Sequence, residues 1–490
     1  MINSWILCYI CTPDRSLPGQ EQPKGQLLVF TSFDYLIFLS AVFVAYWLLR
    51  RKSRQNLLLL ICSYIFYGYI HPWFCILIAV STLVDYFAGL GMGRFASKKR
   101  IFLIISLICN LGMLGFFKYF NFFTQNIYTL FENIGVKLHP MTLRIFLPVG
   151  ISFYTFQTLS YTIDVYRGKI PVRRNFIDFA LFVAFFPQLV AGPIERASRL
   201  LPQIEKHRHW LWQMFLSAWP LLIRGYLKKV VIADNIAVYA DKIYMLEQPT
   251  FFLLTAGTLA FALQIYADFS AYTDIARGSA RLLGFDLMEN FKSPYLAVCP
   301  SDFWRRWHIS FSSWIRDYLY ISLGGSRVNR QWKFAMVLLA SLGLSGLWHG
   351  AAWNFIAWGI YHAALVFAYH RFGITGKWQP ESKTKLVFAW LAMLCFTMIG
   401  WAIFRAANLG WLANIFTTGF SFGASGDSLI VALVITVFVM FYSLPLMVMM
   451  YMDRVIPQQR NLHALIYGLA LVVIILFFRE GHQDFIYFQF

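Results

Sequence analysis

Charge is scarce in this chain, and acidic charge is scarcest: 490 residues carry 23 Asp and Glu, and 13% of all residues are charged. Soluble domains run nearer about a quarter charged, so this composition excludes an ordinary water-exposed surface. Cysteine is sparse as well. Seven are scattered along the chain, and the one close pair, Cys8 and Cys11, lacks a second CxxC or a βαβ setting to support metal or redox work. No repeat of fixed period, low-complexity tract or soluble domain interrupts the sequence.

What fills the chain is apolar: 59% of residues are hydrophobic and 19% aromatic. Runs with little or no charge cover 38–49, 57–84, 101–117, 145–163, 179–194, 251–267, 334–369, 386–404, 429–452 and 462–478. A membrane-crossing helix needs roughly 20 apolar residues, and the longest runs hold two each. The sequence therefore predicts an all-α integral membrane protein of about 10–13 transmembrane or re-entrant helices.

The net charge of +19 would suggest nucleic acid in a soluble protein. Here the cations sit in short clusters between apolar runs, which is the positive-inside pattern, and no nucleic-acid partner is expected. Arg50, Arg51, Lys52 and Arg54 follow the first span, Lys98, Lys99 and Arg100 precede the fourth, and Arg167, Lys169, Arg173 and Arg174 follow the fifth. Placing all three in the cytoplasm leaves the N-terminal side of the first span outside. The next cluster, 195–209, is also basic, yet only 179–194 separates it from the last. That run holds Pro187, Gly192 and Pro193 and reads as a re-entrant segment, tolerated where it is buried in protein or lines a cavity. An ordinary span kinked by the same residues is the simpler alternative.

Residues 1–28 look unlike the rest, with Pro13, Pro18, Gly19, Pro23 and Gly25 among polar side chains. The apolar stretch 5–11 lacks a basic flank and is too short for a signal peptide. We read this segment as an extension produced by a misplaced start, with translation beginning near Leu28 or Val29 and a single membrane domain over 29–490.

His349 lies in a stretch, 334–369, with no Asp, Glu, Lys or Arg. An ionisable group at membrane depth is costly and marks function by default. Its unperturbed pKa of about 6.5 suits taking and returning a proton, and Gly346 and Gly350 allow a substrate or a second backbone to come close. The plain alternative is a histidine bonded to a neighbouring helix. His308 lies upstream among Trp304, Trp307, Phe311, Ile315 and Tyr318, which recur at helical spacing with Arg305, Arg306 and Arg316 elsewhere on the turn. That pattern predicts one basic amphipathic helix lying in a membrane interface. The two histidines meet only through the fold, and no third Cys, Asp or Glu stands at a metal-ligand spacing, so no metal site is expected. His362 is a further candidate for the same cavity.

Asp268 and Asp274 are placed either to orient a histidine or to pair with Arg277 and Arg281, and the Asp274–Arg277 helical pair is the favoured reading. Asp164 beside Arg167 invites the same pairing. Gly426-Asp427-Ser428-Leu429 spells the nucleophile block of a soluble esterase family, but it joins two membrane spans with no α/β scaffold and is taken as coincidence.

Several segments, in order, resemble the membrane-bound O-acyltransferase family, most like the bacterial branch of alginate O-acetyltransferase and its peptidoglycan and cell-wall relatives. They are 148–157, 161–167, 191–194, 266–274, 290–296, Phe303-Trp304-Arg305-Arg306-Trp307-His308-Ile309-Ser310, 317–325, Gly346-Leu347-Trp348-His349-Gly350 and the aromatic 485–490. The resemblance implies tilted helices around a central channel, with His349 catalytic and His308 lining the same cavity. It implies an enzyme of the acyltransferase class transferring groups other than aminoacyl groups. It also implies a multi-pass protein of the bacterial inner membrane, with no bound cofactor and acetyl-CoA as the cytoplasmic co-substrate. The acyl group would pass outward toward hydroxyls of a polysaccharide such as alginate. No esterase-like domain follows in this chain, so a separate extracytoplasmic protein is the expected partner, beside membrane lipid. Arg305, Arg306 and Arg316 are candidates to attract the anionic donor. The alternatives are D-alanyl transfer to teichoic acids and a transporter or flippase, which uptake without transfer would reveal. N-terminal sequencing of the purified protein is expected to find its first residue near Leu28; an intact Met1 refutes the misplaced start.

Overall fold

A computed structural model of the chain describes residues 30–136, 143, 145–376, 378–417, 426–455, 460–478 and 485–486. The 1–28 extension, with Cys8 and Cys11, lies outside the described residues, as do Tyr487 to Phe490 of the aromatic C-terminal segment.

Every secondary-structure element among the described residues is a helix. Among the described residues five helices are long and apolar enough to cross a membrane: Phe74–Arg94, Ala96–Asn133, Phe251–Leu282, Lys383–Arg405 and Gly426–Met452, with shorter apolar helices such as Phe33–Leu48 and Leu462–Phe477 beside them. Ile108, Val437 and Ile475 are exposed on their outer faces, as lipid contact requires. Inner helices can be far more polar because protein surrounds them. Ile151–Tyr166 buries Thr155, Gln157, Thr158, Ser160, Thr162 and Asp164 among its neighbours. Gly426-Asp427-Ser428-Leu429 is the first turn of the Gly426–Val455 helix, a setting without the strand and elbow an esterase serine needs.

Ion pairs gather the basic clusters at one end of the bundle. Lys52 meets Asp178 at 3.1 Å, Arg173 meets Glu205 at 2.7 Å, Arg196 meets Asp317 at 3.1 Å, and Arg199 and Arg281 both reach Asp286. Arg405 and Asp241 mark the other end, 2.7 Å apart. The 179–194 segment is re-entrant. It leaves the basic end at Asp178, runs through Phe176–Ala184 and Phe186–Leu189, and returns to that end at Arg196. Its tip is held deep in the bundle, where the Phe186 N–H donates to Ser63 Oγ at 3.0 Å. Gly150 adopts φ +79°, and a Cβ there would sit 2.8 Å from the Leu189 carbonyl, so only glycine lets the start of Ile151–Tyr166 close over this tip.

The amphipathic helix expected over 304–318 is not continuous. It ends at Arg306, resumes as Ile309–Trp314, and widens into a π-type turn over Ile315–Tyr320. Between the pieces His308 takes a left-handed backbone, φ 42°. A non-glycine residue there costs about 1–3 kcal/mol, and Asn290 supplies what offsets it. The Asn290 carbonyl accepts from Ile309 N–H at 2.9 Å and its Oδ1 from Ser310 N–H at 3.1 Å, while Ser310 Oγ accepts from Ile194 N–H at 3.0 Å. The apolar face also points inward and not to a membrane interface, since Trp307, Phe311, Trp314 and Tyr318 are all buried in protein.

Replacing Asn290 by Ala strands the buried Ser310 N–H, worth about 1–3 kcal/mol. A lowered thermal midpoint of the detergent-solubilised protein is the expected result, and an unchanged midpoint means the knot is not held this way.

Candidate active site

The Gln331–His349 helix ends at the residue of interest. It packs closely against Trp353–Arg371 because Gly346 and Gly359 have no Cβ. On Gly346 that atom would collide with the Phe355 carbonyl, and on Gly359 with the Leu342 carbonyl. Gly346 thus admits a second backbone rather than a substrate. The pairing carries His349 to the centre of the molecule, 3% exposed, with its ring 5.2 Å from Trp358, 5.4 Å from Phe404 and 5.6 Å from Phe311.

His308 packs against the same Phe311. Its ring lies 5.0 Å from Phe311, 4.6 Å from Phe269 and 5.8 Å from Trp348, and it is fully buried. Neither of its ring nitrogens has a hydrogen-bond partner among the described residues. An imidazole in such a setting has donor and acceptor capacity to spare for a transient ligand. The two histidines, 41 residues apart in sequence, therefore share the same aromatic walls. His362 is buried one ring further away, 4.7 Å from Trp358 on the helix that carries both.

A helix that stops inside protein leaves its last carbonyls in need of donors. Here they come from a π-type turn over Gly115–Tyr119 in a neighbouring helix. Tyr119 Oη donates to the Leu347 carbonyl at 3.0 Å, and Lys118 Nζ donates to the carbonyls of Trp348 and His349. A cation at this end also suits the negative pole of the helix.

Cavities lie on both sides of this centre, and one of them touches His349. One of about 470 Å³ opens at the basic end, and its charged lining is Arg224, Lys228, Arg277, Lys292 and Arg306 against Asp274 and Glu289. Asn290 and Phe291 form its inner wall, and Phe291 lies 5.1 Å from Phe269, the ring that touches His308. On the far side a cavity of about 480 Å³ and a smaller one of about 100 Å³ share Lys118, and the smaller is lined by Trp348 and His349.

Of the arginines singled out in the sequence, Arg306 reaches the basic cavity while pairing with Asp302 at 2.9 Å. Arg305 is exposed and lies against Gly376, and Arg316 is exposed and paired with Asp317 at 2.7 Å; neither lines that cavity. Asp274 pairs with Arg277 at 3.8 Å as the spacing predicts, and with Lys228 at 2.7 Å. Asp268 orients no histidine; it meets Lys229 at 3.0 Å and accepts from Ile486 N–H at 2.7 Å. Asp164 takes the Tyr318 hydroxyl at 2.7 Å and Lys169 at 3.8 Å, while Arg167 turns to Ser322. Lys118 escaped sequence reasoning, and Asn290 entered it only as the first residue of the resembling segment 290–296. The only signal for Lys118 was a lysine directly after the apolar run 101–117, where it reads as the end of a span.

The profile of the membrane-bound O-acyltransferase family matches residues 169–373, a stretch that holds His308 and His349. The chain is 40% identical to the probable alginate O-acetylase AlgI of Pseudomonas putida over 81% of both chains. It is 35% identical to the peptidoglycan O-acetyltransferase of Helicobacter pylori over 78% of both. The teichoic acid D-alanyltransferase of Bacillus subtilis is 28% identical over 52% of this chain and 68% of its own. An apolar helical bundle, two histidines buried between opposed cavities and this degree of likeness together place the chain in the membrane-bound O-acyltransferase family, as a membrane acyltransferase.

Proposed function

We propose that the protein carries an acetyl group from acetyl-CoA, bound at the basic end, to a hydroxyl of an extracytoplasmic polysaccharide or of a partner protein that serves it, with His349 as general base. The observation that carries this reading is the position of His349 and His308 in one thin aromatic layer between cavities that open toward opposite ends. A thioester reaching in from one side and a hydroxyl from the other would meet there.

The charge of the two ends favours the assignment of donor and acceptor. Five cations against two carboxylates line the basic cavity, which suits the phosphates of a nucleotide thioester. Among the arginines, Arg306 then belongs to the donor site, with Arg224, Lys228, Arg277 and Lys292 beside it. The basic end is the cytoplasmic one by the positive-inside rule, and the membrane is the bacterial inner membrane.

In this mechanism His349 removes the proton of the acceptor hydroxyl as its oxygen attacks the thioester carbonyl. Collapse of the adduct expels the thiolate, which takes that proton back from the imidazolium. Thioesters are already activated, so positioning and a general base supply most of what is needed. His308 lines the approach to the same carbonyl. Acetyl transfer is favoured over D-alanyl transfer because the acetylating relatives resemble this chain over four-fifths of its length, the D-alanylating one over half.

His349→Ala is expected to lower acetyl transfer by about 10²–10⁴-fold while acetyl-CoA binding to the purified protein persists. Full transfer by that variant would overturn the mechanism. In steady-state kinetics Arg306→Glu should raise the KM for acetyl-CoA well above that of Arg305→Glu. Equal effects would remove the basic cavity as the donor site.

A further inference from the structure

When a hydroxyl adds to a thioester, the carbonyl π pair moves onto oxygen, and the anion so formed needs a donor fixed in place. Buried donors without acceptors are rare, and each asks for an explanation. Among them here are the indole Nε1 atoms of Trp304, Trp358 and Trp401, which have no hydrogen-bond partner among the described residues. The rings form one group with Trp358 in the middle, 5.6 Å from Trp304 and 6.3 Å from Trp401. Trp358 is 1% exposed and lies against His349, ring to ring at 5.2 Å and nearly perpendicular.

The backbone holds this pair together. Gly359, the residue after Trp358, is pressed against the Leu342 carbonyl, and Gly346 against that of Phe355. The helices bearing Trp358 and His349 are thereby locked in register. Asn354 ties the Trp358 helix further, donating to the carbonyls of Phe404 and Ala406 at 3.0 and 3.1 Å. A donor held so firmly is effective, because nothing has to move as charge develops. His308 also has unpartnered ring nitrogens. An imidazole donates only from the nitrogen that carries the proton, however, whereas an indole N–H always donates and never accepts.

We propose that Trp358 Nε1–H is the oxyanion donor of the site, binding the thioester carbonyl oxygen with a hydrogen bond that tightens as charge builds there. This rests on the transfer reading above for the thioester, and on the buried, unpartnered N–H beside His349 for the donor. The acceptor oxygen bonds to the carbonyl carbon as His349 takes its proton, and the π pair comes to rest on the oxygen. Trp358 keeps its own proton throughout. The pair then re-forms the carbonyl as the C–S bond breaks, and the thiolate takes the proton from the imidazolium.

Trp358→Phe removes the N–H and keeps a ring; it is expected to lower kcat by about 10²–10³-fold with acetyl-CoA affinity little changed. Trp401→Phe, which deletes the same group one ring further from His349, should stay near the wild-type rate. Equal losses in the two variants indicate a packing effect and overturn the proposal. The carbonyl itself gives a second readout: isotope-edited infrared spectra of acetyl-CoA, labelled at the carbonyl carbon and bound to the protein in nanodiscs without an acceptor. Its C=O stretch should fall below that of free acetyl-CoA in the wild type and in Trp401→Phe, and return to the free position in Trp358→Phe. Should thermal melts show that Trp358→Phe does not fold, β-(3-benzothienyl)alanine at position 358 keeps the bicyclic shape and lacks only the N–H. An unshifted stretch in the wild type, or a shift that survives loss of the N–H, overturns the proposal even where kcat falls. A Trp358-dependent shift in acetyl-CoA that is never transferred leaves this donor standing and sinks the transfer reading alone.

Discussion

The Gln331–His349 helix has to stop in the middle of the protein, and the carbonyls of its last turn have to find donors there. Everything at the centre follows from that constraint. An unmet carbonyl buried in such a setting costs several kcal/mol. Lys118 and Tyr119 meet the need from a widened turn in the neighbouring span, and a cation at a helix C-terminus adds up to about 2 kcal/mol when partly buried. The imidazole of His349 is thereby presented on a fixed helix end, where it meets a cavity wall and not the side of a continuous helix.

The other irregular backbone obeys the same rule. The re-entrant 179–194 segment and the break at His308 both place non-helical chain at depth, and each is fully enclosed by protein. They also hold one another, since Ser310 accepts from Ile194 while Asn290 accepts from Ser310 and Ile309. A left-handed residue, a re-entrant tip and a buried asparagine form one unit, and its product is the position of a single imidazole.

Much of this was legible in the sequence, and the residues show why the rest was not. His349 announces itself because nothing else ionisable stands near it in the chain, and its motif carries the family resemblance. His308 is found by type and neighbours, but its backbone is not. Periodicity at Trp304, Trp307, Phe311 and Tyr318 reads as one helix because a single left-handed residue shifts the pattern too little to show. The same spacing cannot tell a lipid-facing stripe from one packed in a core, and here Trp307 lies 4.8 Å from Trp401, deep in protein. Arg305, Arg306 and Arg316 look equivalent along the chain, and only the fold sends Arg306 into the cavity. Asn290 is a common residue in a loop, with its importance carried entirely by what packs against it.

The aromatic layer between the two cavities has a consequence for the membrane itself. Phe269, Phe311, Trp348, Trp358 and Phe404 crowd the two imidazoles, and such surfaces offer a water chain few groups to bridge. The cavities on the two sides are thus separated by aromatic side chains. In the transfer proposed above, that layer would let an acyl group change hands while keeping protons and ions from flowing down their gradients.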